Sequence, residues 1–117
     1  FKNPLVIRDD RVTRAQLTSD IDSLEPVDII KEYIQVRQEP GRIYWFNQIT
    51  GMNNQQLFHS WYYQDVLMAR IAVDIKSDQW RASTYKTITP RQQGQWRVVT
   101  QTLDEQVMAE HYFEVRP

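Results

Sequence analysis

The feature that most constrains this chain is the alternation of apolar and polar residues along its C-terminal two thirds. A period of two places successive side chains on opposite faces of a strand, and no stretch after residue 41 has helical periodicity. The alternating segments are separated by short turns at the spacing that is typical of a sandwich. The pattern predicts an all-β, antiparallel immunoglobulin-like β-sandwich of about seven strands, with a small open barrel as the alternative. The predicted strands are residues 11–18, 42–49, 57–64, 66–75, 79–87, 96–102 and 107–115.

The N-terminal third is less regular. Residues 1–10 are predicted to be an initial segment without a strand. Residues 19–37 fit neither period, so they predict either a short helix that begins at Pro26, where proline suits a first turn, or an irregular crossover. Residues 39–41 predict a turn, since proline and glycine follow each other there.

Length and composition predict one domain that covers residues 1–117. The hydrophobic fraction of 41% supplies a core without disulfides, and the absence of cysteine excludes thiol catalysis and thiolate metal sites. The net charge of -1 argues against nucleic acid as a partner. No apolar run is long enough to span a membrane. Because the sequence begins at Phe1 without a signal-peptide pattern, we expect a piece of a longer protein.

The sequence carries no motif that is typical of an enzyme. His59 and His111 fall on the inward faces of predicted strands, and Ser60 and Ser83 are nucleophiles by residue type only. We therefore interpret both histidines as core or rim residues whose ring nitrogens have backbone or tyrosine partners. The chain is predicted to have no catalytic residues.

Metal and cofactor sites are also not predicted. The two histidines with Glu110 are too few and too widely spaced for a convincing zinc site. Calcium coordination by Asp20, Asp22 and Asp28 is the alternative to a solvated polar loop, and we favour the loop because the spacing lacks a calcium-loop pattern. No glycine-rich phosphate loop is present.

Aromatic residues make up 12% of the chain, and their positions predict both a core and an exposed set. Trp61, Trp80 and Trp96 lie among apolar neighbours on their strands and are predicted to be in the core or at its edge. Residues 44–46 are three consecutive aromatics, so at least one of them faces away from the core.

The exposed aromatic and arginine side chains are the candidate ligand-binding site. Aromatic faces stack on sugar rings, while arginine and glutamine side chains supply hydrogen bonds, so a glycan or cell-wall component is the predicted partner. An anionic ligand, a protein partner and a merely solvated face are the alternatives. Alanine at Tyr62 and Arg81 is predicted to weaken binding without lowering stability. The candidate site residues are Trp45, Tyr62, Arg70, Arg81, Tyr85 and Arg97.

Several short motifs are spread along the chain: EPVD (25–28), HSWYY (59–63), MARIAV (68–73), WRASTYK (80–86), the segment from Pro90 to Trp96, and YFEV (112–115). Together they resemble the bacterial domain-of-unknown-function family 2914. The resemblance runs from about residue 11 to the end, and it implies an envelope-associated domain that follows a membrane-spanning helix, in the periplasm or facing the surface. Together with the exposed aromatic and arginine residues and the lack of a catalytic motif, it predicts a non-catalytic extracytoplasmic binding module, or alternatively an assembly domain with an envelope protein partner. The turns at Gln64-Asp65 and Asp104-Glu105 lack the glycine of the family pattern, which predicts longer or differently shaped turns.

Overall fold

The computed structural model describes residues 4–36 and 38–117. In this part of the chain all regular structure is β-strand. The strands are β1 (Leu5–Ile7), β2 (Val12–Asp22), β3 (Glu25–Ile30), β4 (Tyr33–Gln35), β5 (Gly41–Thr50), β6 (Gln56–Tyr63), β7 (Val66–Asp74), β8 (Gln79–Ile88), β9 (Gly94–Gln101) and β10 (Val107–Arg116).

The strands form two sheets that pack face to face as a β-sandwich. The large sheet has the order β1-β10-β9-β6-β7, and β4 adds to the end of β10 in parallel. The small sheet has the order β3-β2-β5-β8 and is antiparallel throughout. The predicted all-β sandwich is therefore confirmed, and the open-barrel alternative is wrong because the strands belong to two separate sheets. We call the face of each sheet that points away from the other sheet its outer face.

The predicted strands of the C-terminal two thirds are confirmed to within about two residues at each end. The strands that the sequence did not predict are β1, β3 and β4, all in the N-terminal third. β1 and β4 have three residues each and share one edge of β10. Such short strands show no period of their own, because long-range pairing and not local sequence holds them in place.

The possible helix from Pro26 is wrong, because Pro26 lies in the edge strand β3 and pairs with Ile21 of β2. Ser23 and Leu24 connect the two strands, and both have positive φ values, of 50° and 64°. Two consecutive left-handed residues produce a tight hairpin that glycine and asparagine normally signal. Because Ser23 and Leu24 are neither glycine nor asparagine, the sequence did not predict this hairpin.

The β6–β7 connection is also tighter than predicted. Gln64 and Asp65 have φ values of 47° and 66°, and Tyr63 pairs directly with Val66. The expectation of a longer turn is wrong here, since two non-glycine residues adopt the left-handed conformation. At the β9–β10 connection Glu105 has a φ of 68°, and a bulge follows at the start of β10. This turn is therefore differently shaped, which is the other outcome that the missing glycine predicted.

The core between the sheets is aromatic at its centre. Trp45, Trp61 and Trp96 are fully buried, and Trp80 packs against the core at its edge, as predicted for Trp61, Trp80 and Trp96. The ring of Phe113 lies 6.5 Å from that of Trp61, edge to face, and is stacked on Trp96 at 6.1 Å. These contacts join β6, β9 and β10 into one rigid part of the large sheet.

The first prediction concerns Gly94, whose φ of 118° lies in a region that side-chain-bearing residues rarely adopt. A Cβ atom there would also lie 3.0 Å from Nε2 of Gln64. Gly94→Ala should lower the free energy of unfolding by about 1–3 kcal/mol in urea titrations. Gly51→Ala is the matched control, because its φ is 69° and its added Cβ would meet open space. Equal losses from the two variants would contradict this explanation.

Candidate ligand-binding face

Three side chains form a row across the outer face of the large sheet. Tyr62 of β6 and Tyr112 of β10 are the cross-strand neighbours of Arg97 on β9. The Arg97 guanidinium carbon lies 5.2 Å from the centroid of the Tyr62 ring and 5.7 Å from that of Tyr112. Both distances are within cation–π range. We call this row the Tyr-Arg-Tyr ladder, and strand register alone brings its members together.

A buried carboxylate anchors the ladder. Oε2 of Glu110 lies 3.7 Å from Nη2 of Arg97 and 3.5 Å from Nε of Arg8. The Glu110 side chain is only 9% exposed, so it needs these two cations. Nε of Arg97 is buried and has no hydrogen-bond partner among the described residues. Arg97 is therefore held by two rings and one carboxylate, and both tyrosine rings rest against a fixed group.

A groove with a volume of about 830 Å³ lies on the same face. Tyr112, which is 41% exposed, lies in its lining. The lining also contains more carboxylates than cations, because Arg8 is its only basic side chain among the described residues. The groove therefore offers one exposed ring surrounded by hydrogen-bond acceptors. Its polar side chains are Arg8, Glu32, Asp65, Gln95, Glu110 and Glu114.

Between the ladder and β7, several side chains of the outer face contact one another. Arg70 lies over the ring of Phe58 at 4.3 Å and contacts Glu105 at 3.2 Å. Close by, the Ser60 hydroxyl donates a hydrogen bond of 2.6 Å to Oε1 of Gln101, and both residues are buried. No open polar group remains at this pair, whereas the groove beside the ladder is open to a ligand.

The outer face of the small sheet carries a second aromatic cluster. The rings of Tyr44 and Tyr85 lie 5.7 Å apart, and the guanidinium of Arg42 lies over Tyr85 at 4.2 Å. Arg81 lies on β8 four residues before Tyr85, at an exposed position of the same face. The groove on the large sheet contains no residue of this cluster in its lining.

The structure separates the candidate residues that the sequence predicted as one set. Tyr62, Arg70 and Arg97 lie on the outer face of the large sheet. Arg81 and Tyr85 lie on the outer face of the small sheet, on the opposite side of the sandwich. One ligand on one face cannot contact both groups. Tyr112 was missed, although the predicted inward position of His111 already placed its neighbour Tyr112 on the outer face.

The predicted exposure of Trp45 is wrong. This side chain is fully buried, and its Nε1 donates a hydrogen bond of 2.8 Å to Oγ1 of Thr100 in the other sheet. The outward members of the aromatic run are Tyr44 and Phe46. Phe46 is nevertheless buried, because Arg14 lies over its ring at 5.1 Å. Alternation was predicted correctly here, but the sequence left the phase of the strand open.

His59 is buried between the two sheets in a complete hydrogen-bond network. Its Nε2 lies 2.8 Å from Oδ1 of Asn47, and its Nδ1 lies 2.7 Å from Oγ1 of Thr84. Because an amide oxygen only accepts, Nε2 carries the proton and Nδ1 accepts from the threonine hydroxyl. Asn47 also accepts from Thr100, which in turn accepts from Trp45. Burial lowers the pKa of His59 to about 3, so its imidazole is neutral in this network.

Both histidines have hydrogen-bond partners within the fold. The predicted core position of His59 is confirmed, although its partners are side chains of asparagine and threonine and not backbone or tyrosine groups. Ser60 points to the opposite face of β6 and cannot reach His59. His111 is buried with its Nδ1 2.7 Å from the Tyr112 carbonyl oxygen, as the backbone interpretation predicted. Burial lowers the pKa of His111 as well.

Metal ligands do not converge in the part of the chain that the structure describes. No group of three or more histidine or carboxylate side chains there is arranged to hold an ion. Asp20 and Asp22 lie on β2, and Asp28 lies across from them on the neighbouring strand β3. The predicted polar loop is therefore a hairpin.

The second prediction follows from the neutral state of His59. The unfolded chain binds a proton at this residue below its ordinary pKa of 6.5, whereas the folded chain resists protonation down to about pH 3. The stabilising contribution is therefore complete above pH 6.5 and is lost as the pH falls toward 3. Each pH unit in this window removes at most about 1.4 kcal/mol from the free energy of unfolding.

This slope is measured by urea unfolding at a series of pH values, with His59→Gln as the comparison. Glutamine retains a donor and an acceptor but does not titrate, so the variant should lose the His59 part of the slope and keep that of His111. The Arg11 hydrogen bonds hold the pKa of Asp9 at about 2, and Asp9 adds its own slope only below its ordinary value of 3.8. An unchanged slope between pH 6.5 and 3.8 would refute the role of His59.

Comparison with known proteins gives one family. The family model described as "Protein of unknown function (DUF2914)" matches residues 54–115, which contain β6 to β10 and all three residues of the ladder. The match is shorter than the resemblance expected from residue 11 onward, and the motif at residues 25–28 lies outside it. No curated protein matches the chain. Among the described residues, no helix is long and apolar enough to cross a membrane.

Proposed function

The chain belongs to the family described as "Protein of unknown function (DUF2914)", and we propose that it is a non-catalytic extracytoplasmic binding module that recognises a glycan or cell-wall component. The single observation that carries this proposal is the groove of about 830 Å³ beside the Tyr-Arg-Tyr ladder. This volume is in the range of small-molecule sites and suits a few sugar units.

The chemistry of the groove favours a sugar over other small ligands. The exposed ring of Tyr112 offers an apolar surface for the C–H groups of a sugar ring. Carboxylates and Gln95 around it accept and donate hydrogen bonds to hydroxyl groups. Arg97 and the one basic residue among the described lining residues of the groove, Arg8, both contact Glu110, so an anionic ligand in the groove would compete with this carboxylate for them. The groove therefore favours the hydroxyl and acetamido groups of a glycan over its acidic groups.

An extracytoplasmic location is part of this proposal. The location rests on the family resemblance. The proposed ligand also requires it, because the glycans of a bacterial cell wall lie outside the cytoplasm. A cysteine-free chain is compatible with that location, since it has no thiol to oxidise there.

The third prediction tests the groove with purified peptidoglycan in co-sedimentation and calorimetric titrations. Tyr112→Ala and Tyr62→Ala should each weaken binding about fivefold, which corresponds to about 1 kcal/mol for a lost aromatic contact. Tyr85→Ala is the matched control, because it removes an exposed tyrosine from the opposite face. Arg81→Ala, also on that face, should now leave binding unchanged, in contrast to the expectation from sequence.

Stability is measured in parallel by thermal unfolding. A variant that loses binding and melting temperature together reports on folding and not on the site. Equal binding by the Tyr112→Ala variant and the unmodified chain would remove the groove from the proposal. Weakened binding in the Tyr85→Ala control would place the binding site on the small sheet instead.

A protein partner is the second candidate function, and one specific observation favours it. Val66, Leu67 and Met68 follow the β6–β7 turn and are 60%, 50% and 40% exposed. A bulge between β6 and β7 shifts the phase at this end of β7, so Leu67 lies on the outer face beside Tyr62. An exposed apolar patch of this kind is common in protein interfaces. The test is the Leu67→Ser variant. If this variant still binds peptidoglycan but no longer retains an envelope protein in a pull-down, the patch is assigned to a protein partner.

A further inference from the structure

The free edge of β7 is the longest unprotected sheet edge in the described part of the chain. β7 has nine residues and ends the large sheet, and no described strand pairs with its side away from β6. Its core-facing residues at the edge, Ala69, Ile71 and Val73, are only half-buried. An edge of this length and polarity invites a further strand.

The other edges of the sandwich carry features that hinder such pairing. The edge of β10 is covered by the three-residue strands β1 and β4. β3 contains Pro26, which cannot donate to a neighbouring strand, and Asp28 with a φ of 57°. β8 places Lys86 at a core-facing register position, between Thr84 and Ile88. Charged residues at such positions block edge-to-edge association, and β7 has none.

The sequence of β7 complements itself in one antiparallel register. When two copies pair with Ala72 opposite Ala72, the Arg70 of each copy lies opposite the Asp74 of the other. In the same register Ile71 lies opposite Val73, so the half-buried apolar residues cover each other on the core side. Small residues meet at the symmetry axis, and two opposite-charge pairs flank it. The bulge at Met68 lies outside this segment.

The present contacts of the two charged residues permit this exchange. Arg70 contacts Glu105, whose side chain is 70% exposed, so this ion pair is weak. Its other contacts are the half-buried ring of Phe58 at 4.3 Å and the carbonyl oxygen of Leu103 at 3.5 Å. Asp74 accepts a hydrogen bond of 2.9 Å from Nε2 of Gln56 at the surface. Neither group has to leave a buried partner in order to face a second copy.

We propose that two copies of this chain pair antiparallel along β7, with Ala72 on a two-fold axis perpendicular to the sheet. The two large sheets then form one continuous sheet, as an isologous dimer. This axis places both outer faces on the same side of the dimer. A polymeric ligand would therefore meet two Tyr-Arg-Tyr ladders at once and gain avidity. The dimer itself does not depend on the proposed glycan.

The fourth prediction is a charge-exchange experiment by sedimentation velocity over a range of protein concentrations. The unmodified chain should change from the monomer mass of 14.1 kDa to twice that mass as concentration rises. Arg70→Asp and Asp74→Arg should each weaken the dimer about tenfold or more, because each creates two like-charge pairs. The double variant should restore it, since the opposite charges then face each other with their positions exchanged.

Arg81→Asp is the matched control, because it makes the same change of charge on the outer face of the small sheet. It should leave the dimer unaffected, and circular dichroism checks that every variant is folded. A monomer at all concentrations overturns the proposal and leaves the edge to a strand of a different protein. A dimer that neither single variant weakens, or that the double variant fails to restore, also overturns it.

Discussion

The relative position of the two sheets depends on one buried imidazole. His59 belongs to the large sheet, but both of its ring nitrogens bind side chains of the small sheet, Asn47 on β5 and Thr84 on β8. Thr100 and Trp45 extend the network in the opposite direction, from the large sheet back to the small one. Apolar contacts between sheets allow sliding, whereas directed hydrogen bonds in a low-dielectric core permit only one arrangement. The price is that the imidazole must stay neutral.

The same constraint determines what the outer faces can present. Since His59 and Trp61 must point inward on β6, the residues between and after them, Ser60 and Tyr62, must point outward. The neighbouring strand β9 is fixed in the same way, because Thr100 belongs to the network and therefore places Arg97 on the outer face. The ladder on the surface is thus a consequence of the hydrogen bonds in the core. A slip of one residue in β6 would place Tyr62 in the core and His59 in solvent, and the same slip in β9 would place Arg97 in the core and Thr100 in solvent.

The sequence predicted well those strands in which apolar and polar residues alternate because one face is buried and the other is exposed. β5 to β10 each have a buried face and a polar face, so the alternation is visible in the sequence. β3 is exposed along most of its length, and β1 and β4 are too short to show any period. The tight turns at Ser23-Leu24 and Gln64-Asp65 were not predictable either, because these residues are held in left-handed conformations by the pairing of the strands around them.

The candidate site was predictable residue by residue but not as an assembly. Side-chain alternation correctly placed Tyr62, Arg97, Arg81 and Tyr85 outside the core. It could not assign strands to sheets, because strand order depends on pairing between residues that are far apart in the sequence. Trp45 failed for a different reason: three consecutive aromatics leave the phase of β5 open until Asn47 is known to bind His59.

The engagement of Arg97 also decides between the ligand classes that its residue type suggests. An arginine on an outer face predicts binding of a carboxylate or phosphate. Here its guanidinium lies between two tyrosine rings and faces Glu110, a carboxylate that is almost completely buried. An anionic ligand that took Arg97 would leave Glu110 with Arg8 alone, and an underpaired buried charge is costly. Arg97 therefore serves best as the support that holds Tyr62 and Tyr112 in place. In the proposed function, sugar recognition therefore falls to the exposed Tyr112 ring and to the acceptors around it.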